Sequence, residues 1–178
     1  MKKTLLITAL FLGVIISSNA QIRLGLGVGY ATPSGDIADF LKGGVAANAE
    51  VGYGVTDHLD LSLMYQGDFL IGDVEGFEVG AVTLSSVMAN GRFYLLEKVF
   101  KPYVGLGVGF TNVKQGSVTI DGEDITGESE SNFAIRPAVG FKVGPLNVSA
   151  AYLSAGKLGE ASVSDISFNI GTLFSIGI

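Results

Sequence analysis

Residues 101–112 read KPYVGLGVGFTN, and large apolar side chains alternate with small ones through most of this stretch. A period of two predicts a β-strand with two unlike faces. The bulky face consists of Val104, Leu106, Val108 and Phe110. The opposite face is too bare for an ordinary solvated face, and glycine in a strand often marks close packing. Bulky residues facing lipid and small residues facing a narrow interior are typical of a transmembrane β-barrel.

The same alternation recurs along the chain and predicts eight strands. They span residues 22–31, 46–55, 59–66, 82–95, 101–112, 133–143, 146–153 and 166–178, and the register is ambiguous in the upper half of the fourth. Three connections are short (56–58, 97–100 and 144–145) and four are long (32–44, 67–80, 115–131 and 155–165). We therefore predict an all-β fold, an eight-stranded antiparallel transmembrane β-barrel with short periplasmic turns and long extracellular loops.

Residues 1–20 have the pattern of a secretory signal peptide. Lys2 and Lys3 form a basic start, residues 5–16 are apolar, and Ser18-Asn19-Ala20 offers small residues to a signal peptidase. We predict cleavage before Gln21, which leaves residues 21–178 as one outer-membrane β-barrel domain. A membrane-anchor helix is the alternative, although the apolar run is shorter than the roughly 20 residues that a span needs. The chain has no cysteine, which excludes disulfides and thiol chemistry.

The charge of the chain argues against nucleic acid as a partner. The formal net charge is -6, and removal of Lys2 and Lys3 makes it -8, with no basic stripe. Most acidic residues fall in the predicted long loops: Asp36, Asp39, Asp68, Asp73, Glu75, Glu78, Asp121, Glu123, Asp124, Glu128, Glu130, Glu160 and Asp165. Two interpretations are open, a solvated repelling surface or divalent-cation bridges to lipopolysaccharide phosphates. Residues 121–124 lack the ligand spacing of a calcium loop, so no dedicated metal site is predicted.

Charged side chains inside the strands fall on the face opposite the apolar one. Charge must avoid hydrocarbon, so we predict that they form an inward ion-pair network. Its members are Arg23, Glu50, Asp60, Arg92, Arg136 and Lys142. A barrel of eight strands is about wide enough to be filled by side chains. The predicted lumen is therefore a polar plug and not a wide pore.

Aromatic residues of the apolar face lie near the strand ends and predict two belts at the membrane boundaries. The outer belt consists of Tyr30, Tyr65, Phe110, Tyr152 and Phe168, and the inner belt of Tyr53, Phe93, Phe141 and Phe174. Ordinary core aromatics are the alternative, and these need not segregate by strand direction.

Two of the long loops carry local patterns of their own. Ser34 or Asp36 can cap a helical turn, which places Ile37, Phe40 and Leu41 on one side, over the barrel mouth or in the membrane interface. The third loop predicts a ribbon with a turn at Asp121-Gly122, formed by Val118, Ile120, Asp121, Gly122 and Ile125. An exposed ribbon edge can accept a partner strand, which makes this a possible protein-contact site. The alternatives are an unstructured first loop and a disordered acidic third loop.

The signal peptide, the strand count, the glycine-rich strands and the C-terminal strand resemble the small outer-membrane β-barrel family, the OmpA/OmpX/OmpW-like, porin-like group. The stand-alone barrels common in Bacteroidota are the most similar variety. The resemblance implies a Gram-negative outer membrane, contact with its lipid and lipopolysaccharide, and assembly by the barrel-assembly machinery. Family members usually end in an aromatic residue, whereas this chain ends in Ile178.

The sequence does not predict an enzyme or a cofactor. Some family members are lipid A acyltransferases or deacylases that use a histidine near the outer face. The single histidine here, His58, falls in a predicted periplasmic turn, and no Gly-x-Ser-x-Gly elbow is present. The leading hypothesis is a structural or surface-interaction barrel. The alternatives are a small porin or OmpW-like transporter of small or apolar solutes, and a soluble lipocalin-like carrier, which the inward charges oppose.

Overall fold

The computed structural model of the chain describes residues 21–72, 81–116, 118–120, 123–125 and 129–177. The predicted signal peptide lies outside these residues. The described elements are ten strands and one 3-10 helix, Gly35–Asp39. The strands are β1 (Gln21–Ser34), β2 (Leu41–Gly54), β3 (Leu59–Gly72), β4 (Val82–Tyr94), β5 (Phe100–Gln115), β6 (Val118–Ile120), β7 (Glu123–Ile125), β8 (Ser129–Val143), β9 (Leu146–Leu158) and β10 (Ala161–Gly177).

Eight of these strands close into an antiparallel barrel in the order β1-β10-β9-β8-β5-β4-β3-β2. The predicted fold class is therefore confirmed. β1 pairs with β10 from Gln21↔Gly177 to Ser34↔Ser164, so the barrel has no free edge there. Among the described residues there is no helix long and apolar enough to cross a membrane.

The glycine-rich face of the strands lies inside the barrel, where glycine leaves room for large side chains of neighbouring strands. The side chain of Glu50 lies over Gly25, and a Cβ atom at Gly25 would be 2.6 Å from Glu50 Cγ. The ring of Tyr103 covers Gly140 in the same way, with its hydroxyl oxygen 2.6 Å from a Cβ built there. The outward face of β5 is bulky, and Phe110 on it is 66% exposed. The alternation of residues 101–112 therefore separates a narrow packed lumen from an apolar exterior.

All four predicted long loops are partly strand, and this corrects the sequence reading. β3 continues through Gly72 and β10 starts at Ala161, so Asp68 and Asp165 lie within strands and are 0% exposed. Only Gly159 and Glu160 connect β9 to β10, and Gly159 has a φ of 61°. Polar residues give the ends of these strands the composition of loops. In the fold, the polar side chains of Asp68 and Asp165 face the lumen.

The outer end of the lumen is apolar, which differs from the predicted polar core. In β4 the inward Val82 and Leu84 are buried, whereas Thr83 and Ser85 face outward. The pattern of β4 is thus inverted near its outer end, which explains its ambiguous register in the sequence. An apolar cluster fills this end of the barrel, formed chiefly by Ile37, Leu41, Leu70, Leu84, Val113, Leu153 and Val163.

The 3-10 helix after β1 covers the outer mouth. Ile37 and Leu41 are 9% and 7% exposed within the apolar cluster, whereas Phe40 is 57% exposed. The three residues therefore do not share one side, because Leu41 already belongs to β2. Ser34 makes no capping hydrogen bond. The Asp36 carboxylate accepts hydrogen bonds at 2.8 Å from both the amide and the hydroxyl of Ser162 on β10. Asp36 therefore attaches the helix to β10.

The attachment through Asp36 should weaken in acid. Hydrogen bonds from the Ser162 amide and hydroxyl lower the pKa of Asp36 below its ordinary value. A carboxylate whose pKa is lower in the folded state than in the unfolded state stabilises the attachment fully when the pH is above its unfolded pKa. This stabilisation is lost as the pH falls through the folded pKa. We expect the Ser162 amide NMR signal of the protein in micelles to titrate with a midpoint below about 3.9.

The control for this titration is Asp36→Asn, which removes the ionisable group and keeps a similar shape. In this variant the Ser162 signal should not move over the same pH range. A wild-type midpoint at or above the ordinary aspartate value would contradict the attachment.

Candidate functional site in the barrel lumen

Asp60 joins three strands at the inner end of the lumen. Arg23 Nε on β1 lies 3.2 Å from Asp60 Oδ1 on β3, and the Tyr94 hydroxyl on β4 donates to Asp60 Oδ2 at 2.8 Å. Arg92 Nη1 lies 4.0 Å from the same Oδ2 atom. Both oxygens of the carboxylate are thus satisfied in a site where Asp60 is 1% exposed. Lys142, on β8, donates from Nζ to Ser175 Oγ at 3.2 Å.

The pair of Glu50 on β2 and Arg92 on β4 bridges the intervening strand β3 next to this group. Arg92 Nη2 lies 2.8 Å from Glu50 Oε1 and 3.1 Å from Oε2. The Ser62 hydroxyl donates to Oε2 at 2.9 Å, and the guanidinium carbon of Arg92 lies 4.9 Å from the centroid of the Tyr103 ring. Glu50 and Arg92 are 9% and 5% exposed. The position of Glu50 over Gly25 makes this contact possible.

Arg136 lines the same small lumen cavity as Glu50 and Arg92. It is 4% exposed, and its Nε has no hydrogen-bond partner within the described residues. The charges of Asp68 and Asp165 act on it, and that of Glu50 acts less strongly. The structure therefore brings Arg23, Asp60, Glu50 and Arg92 together. Arg136 borders this group at the shared cavity, and two carboxylates that the sequence predicts in loops, those of Asp68 and Asp165, act on it electrostatically.

The two missed carboxylates balance the charge of the lumen. Eight charged side chains are buried among the described residues: Arg23, Arg92, Arg136, Lys142, Glu50, Asp60, Asp68 and Asp165. Four are basic and four acidic, so their formal charge is zero. The six lumen residues predicted from the sequence comprise four basic and two acidic ones. That excess of two positive charges was the signal that could have identified Asp68 and Asp165, since buried charges require partners.

The residues of the predicted aromatic belts all lie on outward-facing positions. At the outer level Tyr30 pairs in register with Phe168, and Phe110 pairs with Phe133 with ring centroids 6.1 Å apart. At the inner level Phe93 lies opposite Val104, and Phe174 lies opposite Leu24. The sequence analysis missed Phe69, Phe100 and Phe133, which are also exposed at 50%, 49% and 58%.

The predicted ribbon residues fall in β6 and β7, outside the barrel sheet. Val118 pairs with Ile125, and Ile120 pairs with Glu123, in a separate two-stranded antiparallel sheet. Asp121 and Gly122 lie outside the described residues. A partner at this ribbon stays a prediction.

The environment of His58 gives it a structural role in the inner turns. Its Nδ1 lies 2.7 Å from the backbone carbonyl oxygen of Tyr94, and its Nε2 lies 2.7 Å from Glu97 Oε1. These contacts connect the turn after β2 with the turn after β4. Within the residues described there is no group of three or more histidine, cysteine, aspartate or glutamate side chains that could hold a metal ion.

Solved structures with the same architecture are found, although no family model and no curated protein matches the chain in sequence. Neisserial surface protein A superposes with a TM-score of 0.63 at 17% identity, over 89% of this chain and 100% of that one. The fold is that of a small outer-membrane β-barrel. Ail of Yersinia pestis, solved with the heparin analogue sucrose octasulfate, superposes with a TM-score of 0.60 at 20% identity, over 88% of this chain and 100% of that one. OprG of Pseudomonas aeruginosa superposes with a TM-score of 0.54 at 12% identity, over 88% of this chain and 96% of that one.

Removal of the Glu50 carboxylate should destabilise the barrel strongly. Glu50→Ala leaves Arg92 buried without its partner, and breaking a buried pair in this way costs about 3–5 kcal/mol. We expect a lower urea midpoint for unfolding of the refolded protein in micelles. The matched control is Glu160→Ala in the exposed β9–β10 turn, where the change should stay within about 0.5 kcal/mol.

A double variant separates pairing from packing. Glu50→Leu with Arg92→Met removes both charges, and replacement of a buried pair by apolar residues is often close to neutral. The double variant should therefore be more stable than Glu50→Ala alone. Equal midpoints for Glu50→Ala and Glu160→Ala would show that the lumen pair does not stabilise the barrel.

Proposed function

We propose that this chain is an integral outer-membrane barrel that acts through its outer surface, without catalysis and without a wide channel. The exterior supports insertion into a bilayer, since Leu26, Phe110 and Phe168 on it are 66%, 66% and 59% exposed. Apolar exposure of this extent around a barrel fits lipid and not water. A soluble carrier is opposed by the same exterior and by the charged lumen.

The filled lumen carries the proposal that no wide channel is present. A small cavity in it has about 20 Å³ of room for the centres of water molecules and is lined by residues including Glu50, Arg92 and Arg136. That is space for about one water. Outward of this cavity lies the apolar cluster with Leu70, Leu84 and Ile37, which supports the proposal of a closed path. A porin would need both the ion pairs and the apolar cluster to move aside.

The distribution of charge supports a role for the outer surface. The buried lumen charges cancel, and at the inner end of the barrel Asp57 and Glu97 are balanced by Lys98 and Lys101. The outer strand ends and connections contain the remaining eleven acidic residues and three lysines, so they carry the full -8 of the chain after residue 20.

This surface would repel a polyanion of the kind bound by Ail. It suits a basic protein partner, or lipopolysaccharide phosphates joined to it through divalent cations. Delivery by a signal peptide cleaved before Gln21 and insertion by the barrel-assembly machinery complete the proposed route.

Electrical recording tests the closed lumen. We expect the refolded protein in planar bilayers to give no steady single-channel conductance, because both an ion-paired layer and an apolar layer obstruct the path. A porin reconstituted in the same way and protein-free detergent serve as controls. A large, stable open level would favour the transporter alternative.

Binding to lipopolysaccharide tests the acidic outer surface. Micellar protein should bind lipopolysaccharide in the presence of Mg²⁺ or Ca²⁺ and release it when a chelator is added. Like-charge repulsion should prevent binding of sucrose octasulfate at low salt, where electrostatic effects are largest. Retention of lipopolysaccharide in the chelator would argue against cation bridges.

A further inference from the structure

The outer ends of β4, β5 and β8 carry polar side chains on the face that points away from the lumen. Lys114 is exposed and follows the buried Val113, and Ser131 has the parity of the outward Phe133. Neither the lumen ion pairs nor the apolar cluster involves these polar residues. We name them the outer-rim patch, and its members are Thr83, Ser85, Asn112, Lys114, Ser129 and Ser131.

The strand register arranges the outer-rim patch in two rows directly outward of an apolar row. Each row takes one residue from β4, one from β5 and one from β8, and successive rows are about 7 Å apart. From the membrane outward the rows are Val87–Phe110–Phe133, Ser85–Asn112–Ser131 and Thr83–Lys114–Ser129. Aromatic side chains on the outward face mark the membrane boundary. The patch therefore lies at the level where lipid headgroups begin.

Side-chain hydrogen bonds hold the first polar row in place. Asn112 Nδ2 donates to Ser131 Oγ at 3.0 Å and to Ser129 Oγ at 3.1 Å, which joins β5 to β8. The Tyr65 hydroxyl lies 3.5 Å from Ser85 Oγ and donates to it. In both contacts the serine oxygen accepts, so the hydroxyl hydrogens of Ser85 and Ser131 can donate to a ligand.

Lys114 supplies a positive charge that no acid of the described residues neutralises by a salt bridge. Glu130 on the neighbouring β8 is turned away, because its Oε2 accepts a hydrogen bond from the Gly159 amide at 3.1 Å. Lys157 differs, since it lies at the barrel mouth and its charge acts on Asp36. Lys114 is thus available to an anion at the membrane boundary.

A recess adjoins the outer-rim patch on β3. Gly67 pairs with Ser85, and the next outward side chains on either side of Gly67, Tyr65 and Phe69, are 52% and 50% exposed. A Cβ atom built at Gly67 would contact only the side chain of Tyr65, at 3.9 Å or more. The surface between the two rings is therefore open. Aromatic sides with a hydroxyl at the edge suit a ligand that has both apolar and polar faces, such as a sugar ring.

We propose that the outer-rim patch and this recess bind the phosphorylated sugar headgroup of lipopolysaccharide. Lys114 binds a phosphate, the hydroxyls of Ser85 and Ser131 bind the sugar, and the acyl chains lie over Phe110 and Phe133. The inference rests on the proposed function, because it gives the lipopolysaccharide of that membrane a place on the barrel. Divalent cations join other phosphates to the acidic outer connections, whereas Lys114 contacts one phosphate directly.

The combination of one charge with many hydroxyls favours lipopolysaccharide over a phospholipid. A lysine alone would suit any phosphate. Four hydroxyl groups and one amide surround Lys114, however, and such a surface matches a headgroup with several hydroxyls of its own. The position agrees, since the patch lies at the outer end of the strands, on the side of the 3-10 helix and the β9–β10 turn.

Equilibrium binding of lipopolysaccharide to the full mature chain in micelles, at constant Mg²⁺ concentration, tests the proposal. We expect Lys114→Gln to weaken binding about fivefold, which corresponds to the roughly 1 kcal/mol that one lysine contributes at an anionic lipid surface. The double variant Ser85→Ala with Ser131→Ala should weaken it by a similar factor without a change of charge, since two hydrogen bonds to the sugar are lost. None of the three residues is buried, so the variants should fold.

Two controls separate this contact from general electrostatics. Lys157→Gln removes the same charge at the barrel mouth and should bind lipopolysaccharide as the wild type does. Phosphatidic acid offers a phosphate without the sugar, so the serine changes should not affect its binding.

Equal binding by Lys114→Gln and Lys157→Gln, or equal sensitivity of phosphatidic acid to the serine changes, would overturn the inference and leave the proposed function standing. Failure of the wild type to bind lipopolysaccharide in Mg²⁺ would overturn this inference together with the role proposed for the outer surface.

Discussion

The structure depends on the cancellation of charge inside the barrel, where the eight buried charged side chains of the described residues are four basic and four acidic. Closure of the strand ladder satisfies the backbone, but it also places every inward side chain in a water-poor space. A buried charge survives there only with a partner. Arg92 Nη2 meets this need by contacting both carboxylate oxygens of Glu50, at 2.8 and 3.1 Å, between strands β4 and β2. Glycine at position 25 is required by the same contact, because a side chain there would displace Glu50.

The lumen changes character along its length while the exterior stays apolar. The inner part holds ion pairs and hydrogen-bonded hydroxyls, and the outer part holds leucine, valine and isoleucine. An apolar layer lies beneath the mouth and contains no charged residue. It includes Leu70 and Val163, the inward-facing neighbours of the buried Asp68 and Asp165 on β3 and β10.

The exterior of the fold could be predicted from the sequence, and the lumen only in part. Lipid requires that outward-facing residues be apolar. The alternation of apolar and other residues therefore identifies each strand from its own stretch of sequence. The pairing of inward residues depends on which strands face each other across the barrel, and spacing along the chain does not contain that information. Asp68 falls in a predicted loop because the predicted third strand ends at Gln66. The outward Phe69 and Ile71 continue it, at 50% and 53% exposure.

The attachment of the first outer connection links the mouth of the barrel to its interior. Asp36 is tied to Ser162, and Ile37 beside it packs into the apolar cluster above Asp68 and Asp165. Val163, adjacent to Ser162, belongs to that cluster and lies two residues before Asp165 on β10. Release of the 3-10 helix would therefore remove part of the apolar cover from the carboxylates and expose them to water.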